Sequence, residues 1–259
     1  MTGPLGKLIL AAALAGIGAR AAHAEGLDRD PLLAEAPAVP DKGTVRVGGS
    51  AYGQSADSAN TGGVTGSVLW APTERLAGDV GVYLQGQGTG TNPDNGPQAR
   101  LRFQLLRQRE AGLDLSLGVR FKKIGFYRTP NLGQPDGEYE LLLLGGRRFG
   151  PVDVILNYAY GSEIGGPGKD MEGKAFVGHN LTESFRLGLD GRLQAEYRDE
   201  NGYKSPKPED MNFIAGPAAS LLLLKRKLQL QMLLGASKPR GTVWSDTKLG
   251  GLLAAAIDL

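Results

Sequence analysis

From residue 43 to the end of the chain, apolar and polar side chains alternate in run after run. The stretch SFRLGLDGRLQAEYR (184–198) is the clearest case. Phe185, Leu187, Leu189, Leu193, Ala195 and Tyr197 take the odd positions, and Arg186, Asp190, Arg192, Gln194, Glu196 and Arg198 the even ones. A period of two makes a β-strand with one apolar and one charged face. No helical period is sustained anywhere past the first residues. The fold class is therefore all-β, and its function turns on which face looks inward. In a soluble sandwich the leucines are buried; in a membrane barrel they meet lipid and the charges line the lumen.

About twelve such segments can be drawn, at 44–54, 63–72, 79–88, 99–107, 113–122, 137–148, 151–161, 170–180, 184–198, 211–225, 227–237 and 247–259. The LLLL runs at 141–144 and 221–224 interrupt the alternation and leave the register open at 141–144 and 211–225. Pro217 removes a ladder donor, so it calls for a bulge or a shorter strand. The connections alternate in length. QSADSANTGG, TGTNPDNGP, KIGFYRTPNLGQPD, SEIGGPGK, DENGYKSPKPED and KPRGTVWSD are long, whereas TERLAG, QREAG, FG, LTE and KRK are short. Alternate connections share one end, so all the long loops fall together, and an even strand count puts both termini at the other, short-turn end.

The first residues set the compartment. Lys7, the apolar run from Leu8 to Ala19 and the A-x-A site Ala22-His23-Ala24 read as a Sec signal peptide (1–24) cut after Ala24. The apolar run is too short to span a bilayer. Removing it takes two of 29 cations (Lys7, Arg20) and none of 27 acids, which leaves 27 of each. A neutral exported chain gives no argument for nucleic acid as a partner. With no cysteine, disulfides do not hold it together. Residues 25–42 (EGLDRDPLLAEAPAVPDK), rich in Pro and Ala, read as a flexible periplasmic lead-in to a single domain over 43–259.

Export signal, alternating segments of membrane-crossing length, one-sided loop lengths and absence of cysteine together resemble the bacterial outer-membrane β-barrel class, along residues 43–259. The resemblance implies a twelve-stranded antiparallel up-and-down barrel with outer-membrane lipid as its partner and small polar solutes as its cargo. The polar faces then line the lumen. They carry Arg46, Arg100, Arg102, Arg120, Lys174, Arg186 and Arg192 and, in equal number, Asp114, Glu138, Glu140, Asp153, Glu172, Asp190 and Glu196. A narrow lumen makes unpaired charge costly, so equal numbers allow cross-strand pairing. Tyr52, Trp70, Phe121, Phe126, Tyr158, Tyr160 and Trp244 sit near strand ends, where aromatic girdles lie.

Chemistry finds little support. His179, beside Glu183 and Ser184, is the one histidine of the exported chain, and its spacing fits no hydrolase motif. One His and no Cys exclude the common zinc sets, and GTNPDNG (90–96) lacks the EF-hand spacing. GSEIGGPGKD (161–170) lacks the glycine and the Ser/Thr of a phosphate loop. No cofactor or metal is expected, and the chain is not expected to be an enzyme. Two lumen readings stay open: a narrow aqueous path, or an interior sealed by its own ion pairs in a structural barrel. Phe126, Tyr127 and Arg128, in the longest loop, suit a mouth that folds inward or grips a ligand. The competing classes are a soluble exported barrel or sandwich and an outer-membrane lipid hydrolase.

Overall fold

The computed structural model describes residues 27–55, 60–87, 94–124, 136–198 and 208–259. Within them the chain forms β1 (Val45–Gln54), β2 (Thr61–Trp70), β3 (Leu76–Gln87), β4 (Asp94–Leu106), β5 (Asp114–Lys123), β6 (Gly137–Phe149), β7 (Val152–Ile164), β8 (Gly168–Asn180), β9 (Phe185–Arg198), β10 (Asp210–Leu223), β11 (Leu228–Lys238) and β12 (Lys248–Asp258). A single helical turn, α1 (Gln108–Ala111), sits between β4 and β5. Each strand pairs antiparallel with its neighbours in sequence, and β1 pairs with β12 from Arg46–Asp258 to Gln54–Gly250. The sheet is thus a closed barrel with no free edge.

The alternation decides the faces. In β9, Leu187, Leu189 and Leu193 are exposed on the outside, while Asp190 is buried inside. Leu101, Phe103, Leu117, Val119, Leu141, Leu143, Leu156, Val177, Leu230, Met232, Leu234 and Leu253 join them on the exterior. A soluble sandwich would hide these side chains. A barrel that leaves them on its outer wall needs an apolar medium around it.

Several local expectations change. The run SEIGGPGK (162–169) is not a long loop: β7 and β8 continue to Ile164 and from Gly168, and residues 165–167 close a tight hairpin with Gly165 at φ +75°. Pro217 produces no bulge. It pairs with Leu189 on β9, and the β10–β11 ladder merely skips Gly216 and Pro217 before resuming in the same register. Pro217 points its missing donor at that gap, so the ladder loses a bond without shifting. The irregularity in strand pairing falls instead at Gln104/Leu106, opposite β5. In the 141–144 run the alternation persists, with Leu141 and Leu143 outside and Leu142 and Leu144 buried inside. The β10–β11 turn holds Leu224, Lys225 and Arg226 at φ between 50° and 71°, a left-handed conformation that costs an L-residue about 1–2 kcal/mol.

The larger correction concerns the lead-in. Residues 27–40 are not a flexible periplasmic tail; they enter the barrel at its short-turn end and pack against the inner wall. Leu27, Pro31 and the whole of 34–40 are buried. Leu27 and Ala34 contact Ile155 and Phe176, Val39 contacts Ala71 and Ala77, and Leu32 and Leu33 pack on Ile214, Ala218 and Leu233. The segment folds back on itself, with the Ala38 N–H donating to the Leu27 carbonyl at 3.1 Å. Its physical reason is apolar wall surface in the lower lumen, which water would leave unpaired.

The exterior face yields a prediction. Leu189→Arg places a charge on the outer wall and should destabilise the barrel by about 2–4 kcal/mol in lipid, read as a lower urea midpoint for refolding into vesicles. Lys225→Gly relieves the left-handed turn and should stabilise the barrel by about 0.5–1 kcal/mol, read as a higher midpoint.

Candidate functional site in the barrel lumen

The segment 27–40 has no regular secondary structure, so its backbone polar groups need partners elsewhere. The wall supplies them. Asp190 on β9 accepts N–H bonds from Leu32 (2.9 Å), Leu33 (2.8 Å) and Ala34 (3.2 Å). Asn157 on β7 accepts from the Glu35 N–H and donates to the Glu35 carbonyl. Asp30 takes the Ala36 N–H and Gln104 on β4 takes the Val39 N–H. Pro31, Pro37 and Pro40 have no N–H to satisfy. Every backbone donor from 31 to 40 is therefore accounted for. On the acceptor side, Arg102 donates to the Ala36 carbonyl, Ser116 to that of Pro37, and Gln229 and Gln231 to that of Asp30.

At mid-height Glu35 stands at the centre of the lumen. Its carboxylate pairs with Arg100 of β4, with Arg120 of β5 (2.8 Å) and with Lys174 of β8 (2.7 Å). Burial alone would raise the Glu35 carboxyl. Arg120, Lys174 and Arg100 outweigh it and hold the group well below the usual carboxylate range. These pairs extend outward. Arg100 also meets Asp79 and Asp30, Arg102 meets Asp30, Arg120 and Lys122 meet Glu140, Lys122 meets Glu138, and Lys174 and Arg192 meet Glu172. Among the described residues this is one connected network of six cations and six carboxylates. Two of the six carboxylates, Asp30 and Glu35, belong to the N-terminal segment and not to the wall.

The fourteen residues expected at the lumen all lie on inward-facing strand positions, but they do not form one uniform ladder. Arg100, Arg102, Arg120, Glu138, Glu140, Glu172, Lys174 and Arg192 belong to the central network. Arg46 pairs with Asp258 and Asp28 near the short-turn end. Arg186 pairs with Asp153, which Arg148 also reaches. Glu196, near the long-loop end, pairs with Arg240. Asp114 and Asp190 use their carboxylates on backbone and amide donors: Asp114 accepts from Leu27, Gln108 and Gln104. Phe126, Tyr127 and Arg128 lie outside the described residues. Tyr52 points inward with Tyr83, away from any girdle. His179 is exposed on the outer wall, and among the described residues no bond joins it to Ser184.

Above Glu35, toward the long-loop end, the lumen widens into a cavity of about 360 Å³. One wall is neutral and polar (Tyr52, Gln54, Thr65, Tyr83 and Gln98) and the other carries Arg120, Lys122, Glu138, Glu140, Asp170, Lys174, Arg192 and Glu196. Leu33, from the N-terminal segment, is part of its lining. Glu35, Asp30, Asp79, Lys122, Gln104 and Asn157 were not among the sequence candidates. Lys122 and Asp79 share the parity of those that were; the two segment acids carry no periodic signal at all.

Known proteins share this architecture. The COG4313 outer membrane channel from Pseudomonas putida F1 superposes with a TM-score of 0.60 at 15% identity, over 86% of this chain and 97% of that one. The NanC porin gives 0.54 at 9% identity, over 83% and 100%. The KdgM porin gives 0.51 at 9% identity, over 83% and 99%. At such identities the likeness is one of fold, and the fold is that of bacterial outer-membrane barrels. No protein-family model and no curated protein matches the chain.

Two predictions concern the docked segment. Asp190→Asn replaces a charged acceptor of three N–H groups and should weaken docking by about 1.5–3 kcal/mol, seen as faster hydrogen exchange at residues 32–34 with strand protection unchanged. The depressed Glu35 carboxyl makes its contribution complete above the ordinary carboxylate value of 4.5 and lost as pH falls through the lower, docked value. Exchange at 35 and 36, corrected for intrinsic rate, should hold constant from neutral pH to about 4.5 and accelerate only below it.

Proposed function

We propose that this chain is exported through Sec, loses residues 1–24 and inserts into the outer membrane as a non-catalytic, narrow passive pore for small polar solutes. The short turns and the N-terminal segment then face the periplasm, and the cavity opens outside. The apolar outer wall supports the location: in hydrocarbon only a closed ladder satisfies every strand N–H and C=O. The charged inner wall supports an aqueous interior, since opposed ionic and neutral polar faces set a transverse field and favour polar solutes over apolar ones.

The observation that carries the reading is the way the lumen is filled. The N-terminal segment contributes no strand to the barrel, so the twelve strands close without it. It rests on side chains of the wall and lines the inner end of a cavity whose walls are mostly polar and charged. A barrel built only as a structural body would have no need of that cavity.

Planar-bilayer recording tests it. The full-length protein should give small, steady conductance steps, and deletion of residues 25–41 should enlarge them several-fold while heat-modifiable gel mobility shows a folded barrel. Folded protein that conducts in neither form would make the barrel structural and overturn the pore.

A further inference from the structure

We propose that Glu35 occupies, as a tethered stand-in, a carboxylate-binding site formed by Arg100, Arg120 and Lys174, and that a small carboxylate solute in the lumen competes with it for these cations. The inference rests on the reading of the lumen as a solute path and names the class of solute its centre would recognise.

Three observations lead there. The first is convergence. Arg100, Arg120 and Lys174 come from β4, β5 and β8, and all three reach one carboxylate at the middle of the barrel. Guanidinium and ammonium groups arranged around a single carboxylate are the pattern by which proteins recognise that group. The second is charge. In the central network the wall provides six cations, Arg100, Arg102, Arg120, Lys122, Lys174 and Arg192, against four carboxylates, Asp79, Glu138, Glu140 and Glu172. Only Asp30 and Glu35 bring it to neutrality. When the segment leaves, Arg100, Arg120 and Lys174 lose the carboxylate they share and Arg102 loses its ion-pair partner Asp30, and an anion from solution is the natural replacement. The third is spare donor capacity. Arg102, 2% exposed, donates Nη1 to the carbonyl of Ala36, beside Glu35, while its Nε and Nη2 have no hydrogen-bond partner among the described residues. A buried guanidinium normally uses these groups.

Access is built in. Arg120 and Lys174 both line the 360 Å³ cavity that opens at the long-loop end, so a solute arriving there meets two of the three cations that hold Glu35. Exchange of one carboxylate for the other leaves the ion pairs intact, frees the Glu35 side chain and loosens the backbone around it.

The test uses the folded full-length protein in micelles and sodium acetate as the probe, with sodium chloride at equal ionic strength and acetamide as controls. Hydrogen exchange at residues 32–36 of the wild type should accelerate about tenfold in high acetate and in neither control. Glu35→Ala removes the two carbons that acetate itself carries. Broadening of the acetate methyl resonance should show this variant binding acetate at least tenfold more tightly than the wild type, and adding Arg120→Gln should abolish the gain. Heat-modifiable mobility identifies any variant that fails to fold, and the wild-type exchange experiment then decides alone. Acetate acting no differently from chloride or acetamide on the wild type overturns the proposal. So does acetate binding by Glu35→Ala with wild-type exchange unmoved, since Glu35 is then a structural ion-pair partner only. Binding in micelles is independent of conduction, so a barrel that binds acetate but passes no current would refute the pore and not the site.

Discussion

A strand in hydrocarbon has nothing to bond with except another strand. That constraint closes β1 on β12 and turns twelve half-apolar segments into one wall with its leucines outward. It also creates the second problem that the molecule solves. The inner face of a narrow barrel collects ionic side chains from every strand, and each must find an opposite charge or a dipole within a few ångströms. The wall does this for Arg148 and Arg186 with Asp153, and for Lys174 and Arg192 with Glu172. At mid-height it does not balance, and the N-terminal segment makes up the difference.

The segment fits because both parties supply what the other lacks. Irregular backbone inside a barrel carries exposed N–H groups, and a carboxylate carries acceptors. Asp190 meets three of those donors at once, in the manner of an anion held by a nest of amides. Three prolines lower the demand further. Leucine and alanine side chains cover Ile155, Phe176, Ile214 and Leu233, which would otherwise face a water-filled lumen. The result is an interior narrowed by the segment toward the short-turn end and wider, polar and charged toward the long loops. Interactions of this kind hold a chain in place without making it part of the sheet, which is what a removable occupant of a pore requires.

The fold was legible because a period of two, repeated with charges on one parity, leaves few alternatives. The same parity located the wall residues, from Arg46 to Glu196. Pairing was less legible: Asp190 shares the inward parity with its neighbours, yet its partners are backbone amides of a segment that shows no periodicity, and Asp114 takes one such amide, from Leu27, beside Gln104 and Gln108. Glu35 sits in LAEAPAVP, a composition that reads as a flexible linker, and nothing local marks it as the counter-ion of three strands. A signal was present elsewhere. Leu144, Ile155 and Phe176 are apolar at inward positions toward the short turns, and a lumen that holds large apolar side chains in its lower half has to be filled by something. The hairpin at 165–167 and the straight passage of Pro217 were hidden for a simpler reason. Strand length and ladder gaps are set by the neighbouring strands, which a local pattern does not contain.

The account stands on the presence of residues 27–40 inside the barrel. The chain has no cysteine of its own, so an engineered pair reports cleanly. With Ala34→Cys and Ile155→Cys, two positions that share one apolar cluster, mild oxidation of the folded protein in outer-membrane fractions should form a disulfide. Before oxidation, neither thiol should react with a membrane-impermeant maleimide. Rapid labelling of both thiols, with no cross-link at any oxidant level, would place the segment outside the lumen and contradict the account.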